Sequence, residues 1–176
     1  MDLTDKIIAE LRTSLGESTL AERSVWVQQV FTQKLNVMRL CILLQADTKV
    51  ATRFSWMLTE IGEADAGMLL AVLPALFRER FQTNVKGFPV KFSKYWRVVG
   101  VPLENEAVAI DLLFEWLSGG EVNISTRTYS ASVLFNLVAK YGDLRHELRI
   151  VLEEKRDKYS RAFQKKVDGY LAALRG

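Results

Sequence analysis

One cysteine, one histidine, four tryptophans and a cluster of lysines and arginines near the C-terminal end are the side chains of this sequence whose types and spacing bear on chemistry. The histidine, His146, lies in Leu144-Arg145-His146-Glu147-Leu148. A metal site needs several ligands at set spacings, and a hydrolytic triad needs histidine beside a nucleophile and an orienting acid. The nearest serines, Ser130 and Ser132, fall on a segment patterned for packing, so His146 reads as a surface or capping residue. Cys41 lies inside the apolar run Val37 to Leu44. A reactive thiol needs an exposed, cationic setting, so Cys41 reads as a small buried hydrophobe. With one cysteine no internal disulfide can form, which fits a reducing compartment.

Asp111 interrupts Ala107-Val108-Ala109-Ile110-Asp111-Leu112-Leu113, where a buried carboxylate would have a raised pKa and act as acid or base. Its helical phase places it one turn from Glu115 and off the stripe Ile110, Leu113, Phe114 and Leu117, which predicts a solvated edge. No phosphate-cradling glycine loop, paired-histidine zinc motif or nucleophile elbow is present. Nothing in the residues calls for a cofactor, a metal or a small-molecule substrate, and the chain reads as a non-enzyme.

Trp26, Trp56, Trp96 and Trp116 can stack nucleobases or anchor a partner, but the same residues at repeated helical positions also build a core. Packing is the expected role for Trp56 and Trp96, which stand beside Met57-Leu58 and Val98-Val99. Charge is more informative. Residues 125–176 carry 11 basic and 6 acidic side chains, whereas residues 1–46 and 47–86 each carry 5 and 5. Lys158, Arg161 and Lys165 recur at three and four residues with Lys166 adjacent, predicting one basic stripe on the last helix opposite Phe163, Val167 and Leu171. Such a stripe reads first as a solvated terminal face and second as a phosphate-contacting patch.

The elements that hold these side chains follow from apolar spacing. Nearly every segment repeats at three and four residues, which predicts an all-α chain. Ten helices are expected. The first carries Leu3, Ile7 and Leu11; a Thr19–Glu22 capping box starts the second; the third runs from about Leu35 to Gln45. Asp47 caps a fourth that ends near Gly62, and Asp65 starts a fifth with Pro74 inside it, where a kink is expected. The sixth spans Pro89 to Val99, the seventh carries Ala107 to Leu117, and Ser125 or Thr126 caps the eighth. The ninth carries Leu144 to Leu152 and the tenth Phe163 to Leu174.

At 176 residues with 49% hydrophobic and 26% charged side chains, a single domain over residues 1–176 is the expectation. The longest uncharged apolar stretch, residues 66–77, is too short to span a bilayer, and Met1 to Lys6 lacks the layout of a secretory signal, so a cytoplasmic protein without a membrane contact is expected.

Capped helices begin near Asp47, Gly87, Ser125 and Tyr159, spaced 40, 38 and 34 residues apart, each preceded by another helix. That is a helix-pair period. Val50, Trp56 and Leu58 match Val90, Trp96 and Val98 at an offset of 40, and Tyr129, Phe135 and Leu137 at 79. Asp47-Thr48-Lys49-Val50-Ala51-Thr52-Arg53 and Lys140-Tyr141-Gly142-Asp143-Leu144-Arg145-His146-Glu147-Leu148 resemble HEAT or armadillo-type repeats of small bacterial helical-repeat proteins over roughly residues 35–175. The resemblance implies a right-handed α-α superhelix of about four antiparallel helix pairs with two N-terminal capping helices. It also implies a scaffold whose second helices line a concave, partly basic surface carrying Lys49, Arg53, Lys91, Lys94 and Arg127, extended by Lys158, Arg161 and Lys165, for an acidic protein partner. The alternative is a nucleic-acid binder similar in architecture to DNA-alkylation-repair glycosylases, with Trp96, Asp111 and Trp116 as the nearest counterparts of their lesion-contacting residues.

Overall fold

Short polar side chains that accept from the first free backbone N–H groups set most helix starts in the computed structural model, which describes residues 1–176. Asp2 accepts from Asp5 N, Asn36 from Arg39 N, Asp65 from Gly67 N and Ser160 from Phe163 N, while Asp47 accepts from both Lys49 and Val50. Both arms of the expected capping box form, with Glu22 N donating to the Thr19 hydroxyl and Thr19 N to the Glu22 carboxylate. The ten helices are α1 (Leu3–Ser14), α2 (Leu20–Thr32), α3 (Val37–Leu40), α4 (Thr48–Ala64), α5 (Ala66–Arg78), α6 (Phe88–Val99), α7 (Glu106–Ser118), α8 (Ile124–Val138), α9 (Leu144–Lys155) and α10 (Arg161–Arg175). The chain is all-α, with no strand. No helix is long and apolar enough to cross a membrane.

Three boundaries differ from the sequence expectation. The third helix is one α turn followed by a 3-10 segment, Cys41–Gln45. The fourth runs past Gly62 to Ala64, because Asp65 both ends it, donating its N–H to the Ile61 carbonyl, and caps the next. Asn123, not Ser125 or Thr126, caps α8, its side chain accepting from Thr126 N at 2.8 Å and from the Thr126 hydroxyl at 2.9 Å. The fifth helix continues through Pro74.

The helices fall into two compact units, Met1–Phe88 and Pro89–Gly176. In the first, α4 is the centre. Its Phe54, Met57, Leu58 and Ile61 are fully buried and meet α2, α5 and the 3-10 turns that follow α1 and α3. Leu11, Leu15 and Val30 from α1, its trailing turn and α2 complete that core. In the second unit α7 packs on α8 and α9, and α8 packs on α9 and α10, so α7 and α9 form one layer and α8 and α10 the other. α6 touches α7 through Trp96, stacked on Trp116, and α8 through Arg97, whose guanidinium lies 4.8 Å from the Tyr129 ring centre.

Burial recurs along the chain. Phe54, Ser55, Met57 and Leu58 of α4 are followed 38 residues later by buried Phe92, Ser93, Tyr95 and Trp96, and 38 later again by Ser130, Ala131, Val133 and Leu134. Leu69, Leu73, Leu76 and Phe77 of α5 recur 40 residues on as Ala109, Leu113, Trp116 and Leu117, and the first two of these recur 39 residues on as Leu148 and Leu152. The same inward stripe is thus used by successive helices. This register corrects the offset of 40 that paired Trp56 with Trp96. At 38 residues Trp56 matches Lys94, Leu58 matches Trp96 and Arg53 matches Lys91. Hence Trp96 is core, at 2% exposure, whereas Trp56 is 37% exposed and is not.

Candidate interaction surfaces

In the first unit the outer edge of α4 carries Lys49, Arg53, Trp56, Glu60 and Glu63, spaced four, three, four and three residues apart. That spacing keeps all five on one side of a helix. Lys49 donates to Glu17 at 2.5 Å, and this contact holds the Glu17 carboxyl below its ordinary value. Both partners are exposed, so the pair adds little stability. The Trp56 ring has the Arg23 guanidinium 5.0 Å and the Arg53 guanidinium 5.7 Å from its centre. Arg23 is itself buried and fixed by donating to the Ser18 carbonyl at 2.8 Å. A tryptophan with two guanidiniums beside its ring is pre-oriented by cation–π attraction, and Trp and Arg are the residue types that dominate binding energy at protein interfaces.

In the second unit, charge is sorted by layer. This unit has 14 basic and 11 acidic side chains, whereas residues 1–88 have ten of each, so the whole net charge of +3 lies here. α6 contributes Lys91, Lys94 and Arg97 and no acid; α10 contributes Arg161, Lys165, Lys166 and Arg175 against Asp168 alone. Asp168 is already paired, accepting from Arg156 at 2.5 and 3.0 Å. Arg161, Lys165 and Lys166 are exposed without an ion pair, and Lys94 is half-buried without one. On the opposite layer Asp111 and Glu115 of α7 and Glu147 of α9 are exposed acids without ion pairs, whereas the cations of α9 are engaged: Arg145 donates to the Ala173 and Leu174 carbonyls and Lys155 pairs with Glu154. Between α8 and α10 lies a cleft of about 280 Å³ lined by Ser125, Thr128, Tyr129, Ser160, Phe163 and Lys166.

Two of the expected surface cations have other roles. Arg127 is buried, its Nη1 donating to the Trp116 carbonyl and its Nη2 to the Gly120 carbonyl, both at 2.8 Å, with the guanidinium 4.6 Å from the Tyr159 ring centre. It closes the α7–α8 turn. Lys158 precedes α10 and reaches back to Glu154 of α9 at 3.7 Å, so the basic stripe on the last helix is Arg161, Lys165 and Lys166. Lys91 is half-buried, and burial, reinforced by Lys94, lowers its pKa from the ordinary lysine value.

The residues weighed for chemistry are dispersed. His146 is exposed, and Asp111 lies on the solvated edge its phase predicts. Cys41 is buried, and burial, with Glu79 nearby, pushes its thiol up to about 12. Trp96 and Trp116 are buried and stacked on each other, ring centres 6.2 Å apart and planes 15° from parallel, so neither offers a free face to a base. No group of His, Cys, Asp or Glu side chains is placed to hold a metal ion. Charge sorted by layer and the two guanidiniums beside Trp56 are the surface features that apolar spacing missed. Assigning each cation to its helix instead of to a segment of chain would have exposed the first.

Fold and surface define an all-α protein that presents polarised helix faces to solvent. Compared with known proteins, the chain matches no protein-family model, no curated protein and no solved structure.

Proposed function

We propose that this chain is a non-enzymatic HEAT-like helical-repeat scaffold that binds an acidic protein surface through its basic layer of alternate helices. The observation that carries the reading is the charge sorting in the second unit, where Lys94, Arg161, Lys165 and Lys166 lie on α6 and α10 without ion pairs while the unpaired acids lie on α7 and α9. Complementary potential steers and orients an acidic partner and rejects basic ones. The repeat reading is supported by the burial register at 38 to 40 residues in both helix series, the pattern expected when each helix pair packs only on its neighbours in a right-handed superhelix of about four pairs. A cytoplasmic location fits the same reading. Nucleic acid is the weaker partner class, because the tryptophans nearest to the base-contacting role are stacked inside the core.

Replacing Lys94, Arg161 and Lys165 together by glutamate is expected to abolish co-purification of the acidic partner from the native cell while the thermal midpoint stays unchanged. Undiminished co-purification by the folded triple variant would overturn the proposal.

A further inference from the structure

A second surface has the opposite polarity. α2 and α4 touch at Arg23–Trp56 and at Ser24–Glu60, where the Ser24 hydroxyl donates to Glu60 at 3.3 Å. Beyond these contacts, toward the C-terminal ends of both helices, a groove of about 700 Å³ opens. Its apolar lining is Val27, Phe31 and Ala64, and Glu60 and Glu63 are its charged lining residues. Neither glutamate is in an ion pair; Glu63 is exposed and Glu60 half-buried. The volume is within the range of clefts that enclose a ligand group, and an apolar floor with a charged rim is the arrangement of grooves that take an amphipathic helix.

We infer that the α2–α4 groove docks a short helical segment of a partner protein, one that seats a bulky apolar side chain on Val27 and Phe31 and presents a lysine or arginine to Glu60 and Glu63. The acidic rim selects the cation and repels nucleic acid. The groove's lining on α2, from Ser24 to Thr32, spans eight residues, about 12 Å of helix, which sets the occupant at two to three turns. Trp56, with Arg23 and Arg53 beside its ring, lies one helical turn before Glu60 on α4, outside the groove's own lining. This site is separate from the basic layer proposed above, and neither depends on the other.

The test uses the full chain with a fluorescein-labelled 12-residue peptide of alanine, leucine and lysine, leucine and lysine one turn apart, and a counterpart with glutamate for lysine. The lysine peptide is expected to bind and to shift the backbone amide signals of Gln28, Thr32 and Glu63. Glu63→Lys, at an exposed position that leaves folding intact, is expected to weaken binding at least about tenfold, since it replaces an attraction by a repulsion. Gln28→Trp, which fills the groove from its exposed side, is expected to abolish it. Glutamate substitution of Lys165 and Lys166 leaves this binding unchanged, whatever it does to an acidic partner. Shifts confined to the acids of α7 and α9, equal binding by the glutamate peptide, no effect of Glu63→Lys, or self-association of the chain through this groove would each overturn the inference.

Discussion

Arg127 reaches the carbonyl oxygen of Trp116 at 2.8 Å and, with its second amino group, that of Gly120 at the same distance, tying the first turn of α8 to the last turn of α7. Arg127→Ala removes both of these hydrogen bonds, leaving the Gly120 carbonyl only its bond from Val122 N at 2.9 Å, and takes the cation from the Tyr159 ring, so it is expected to cost about 2 to 4 kcal/mol of unfolding free energy. Arg127→Lys should recover only part of this, because one ammonium lacks the fork that spans two acceptors. Urea denaturation followed by circular dichroism measures both, and a loss below the scatter of surface substitutions would contradict the assignment.

Two tryptophans that the sequence treats alike are expected to respond differently. Trp96→Ala opens a cavity beside Trp116 and Phe92 and should cost about 3 to 5 kcal/mol. Trp56→Ala removes a partly exposed ring and two cation–π contacts, a loss nearer about 1 kcal/mol. Denaturant midpoints of the two variants decide the matter, and equal losses would restore the register that pairs these positions.

Cys41 should be inert while the chain is folded. With its thiol pushed up to about 12 by burial from an ordinary value of 9.0, thiolate at neutral pH is about a thousandfold scarcer than for a free cysteine. Labelling with an aromatic disulfide reagent is expected to be slow in buffer and fast in denaturant. Rapid labelling in buffer would mean that the 3-10 segment opens readily.

The anchoring of α10 should weaken in acid. Hydrogen bonds from Arg156 hold the Asp168 carboxyl below its ordinary value of 3.8. A carboxylate that binds its proton more weakly folded than unfolded contributes stability that is present in full above the unfolded value, and that contribution is lost as pH falls through the folded one. Asp168→Asn is therefore expected to be less stable than the parent at neutral pH and to converge with it below 3.8. Both side chains reach solvent, so added salt should shrink the difference. A gap that persists unchanged in strong acid would exclude the pair as its source.

Ten helices and their order were legible from apolar spacing, because periods of three and four leave little choice of element. The Thr19 and Asp47 caps were readable for the same local reason. Helix ends depended on competition between equally good signals: Asn123 won over Ser125 and Thr126, and Asp65 overrode the stop expected at Gly62. Surface placement was less legible. Arg127 has the composition of a contact residue, yet its length lets it fold back onto two carbonyls, which depends on how α7 and α8 pack. Lys49 and Lys158 are exposed, and the acids that engage them, Glu17 and Glu154, come from neighbouring elements, which spacing within one helix does not reveal. Lys165 and Lys166 have no such neighbour, and this distinction is what directs attention to α10.

The most direct measurement of the central claim is a fluorescence anisotropy titration of the full chain with a labelled polyglutamate peptide and, separately, with a short duplex DNA, at two salt concentrations. The acidic peptide is expected to bind. Lys94→Glu with Lys165→Glu and Lys166→Glu is expected to remove that binding, and the same number of reversals among Lys6, Arg12 and Lys34 of the first unit to leave most of it. Equal loss from both sets would mean that net charge and not the α6–α10 layer is recognised, and tight, steeply salt-dependent binding of the duplex with none of the peptide would contradict an acidic protein partner.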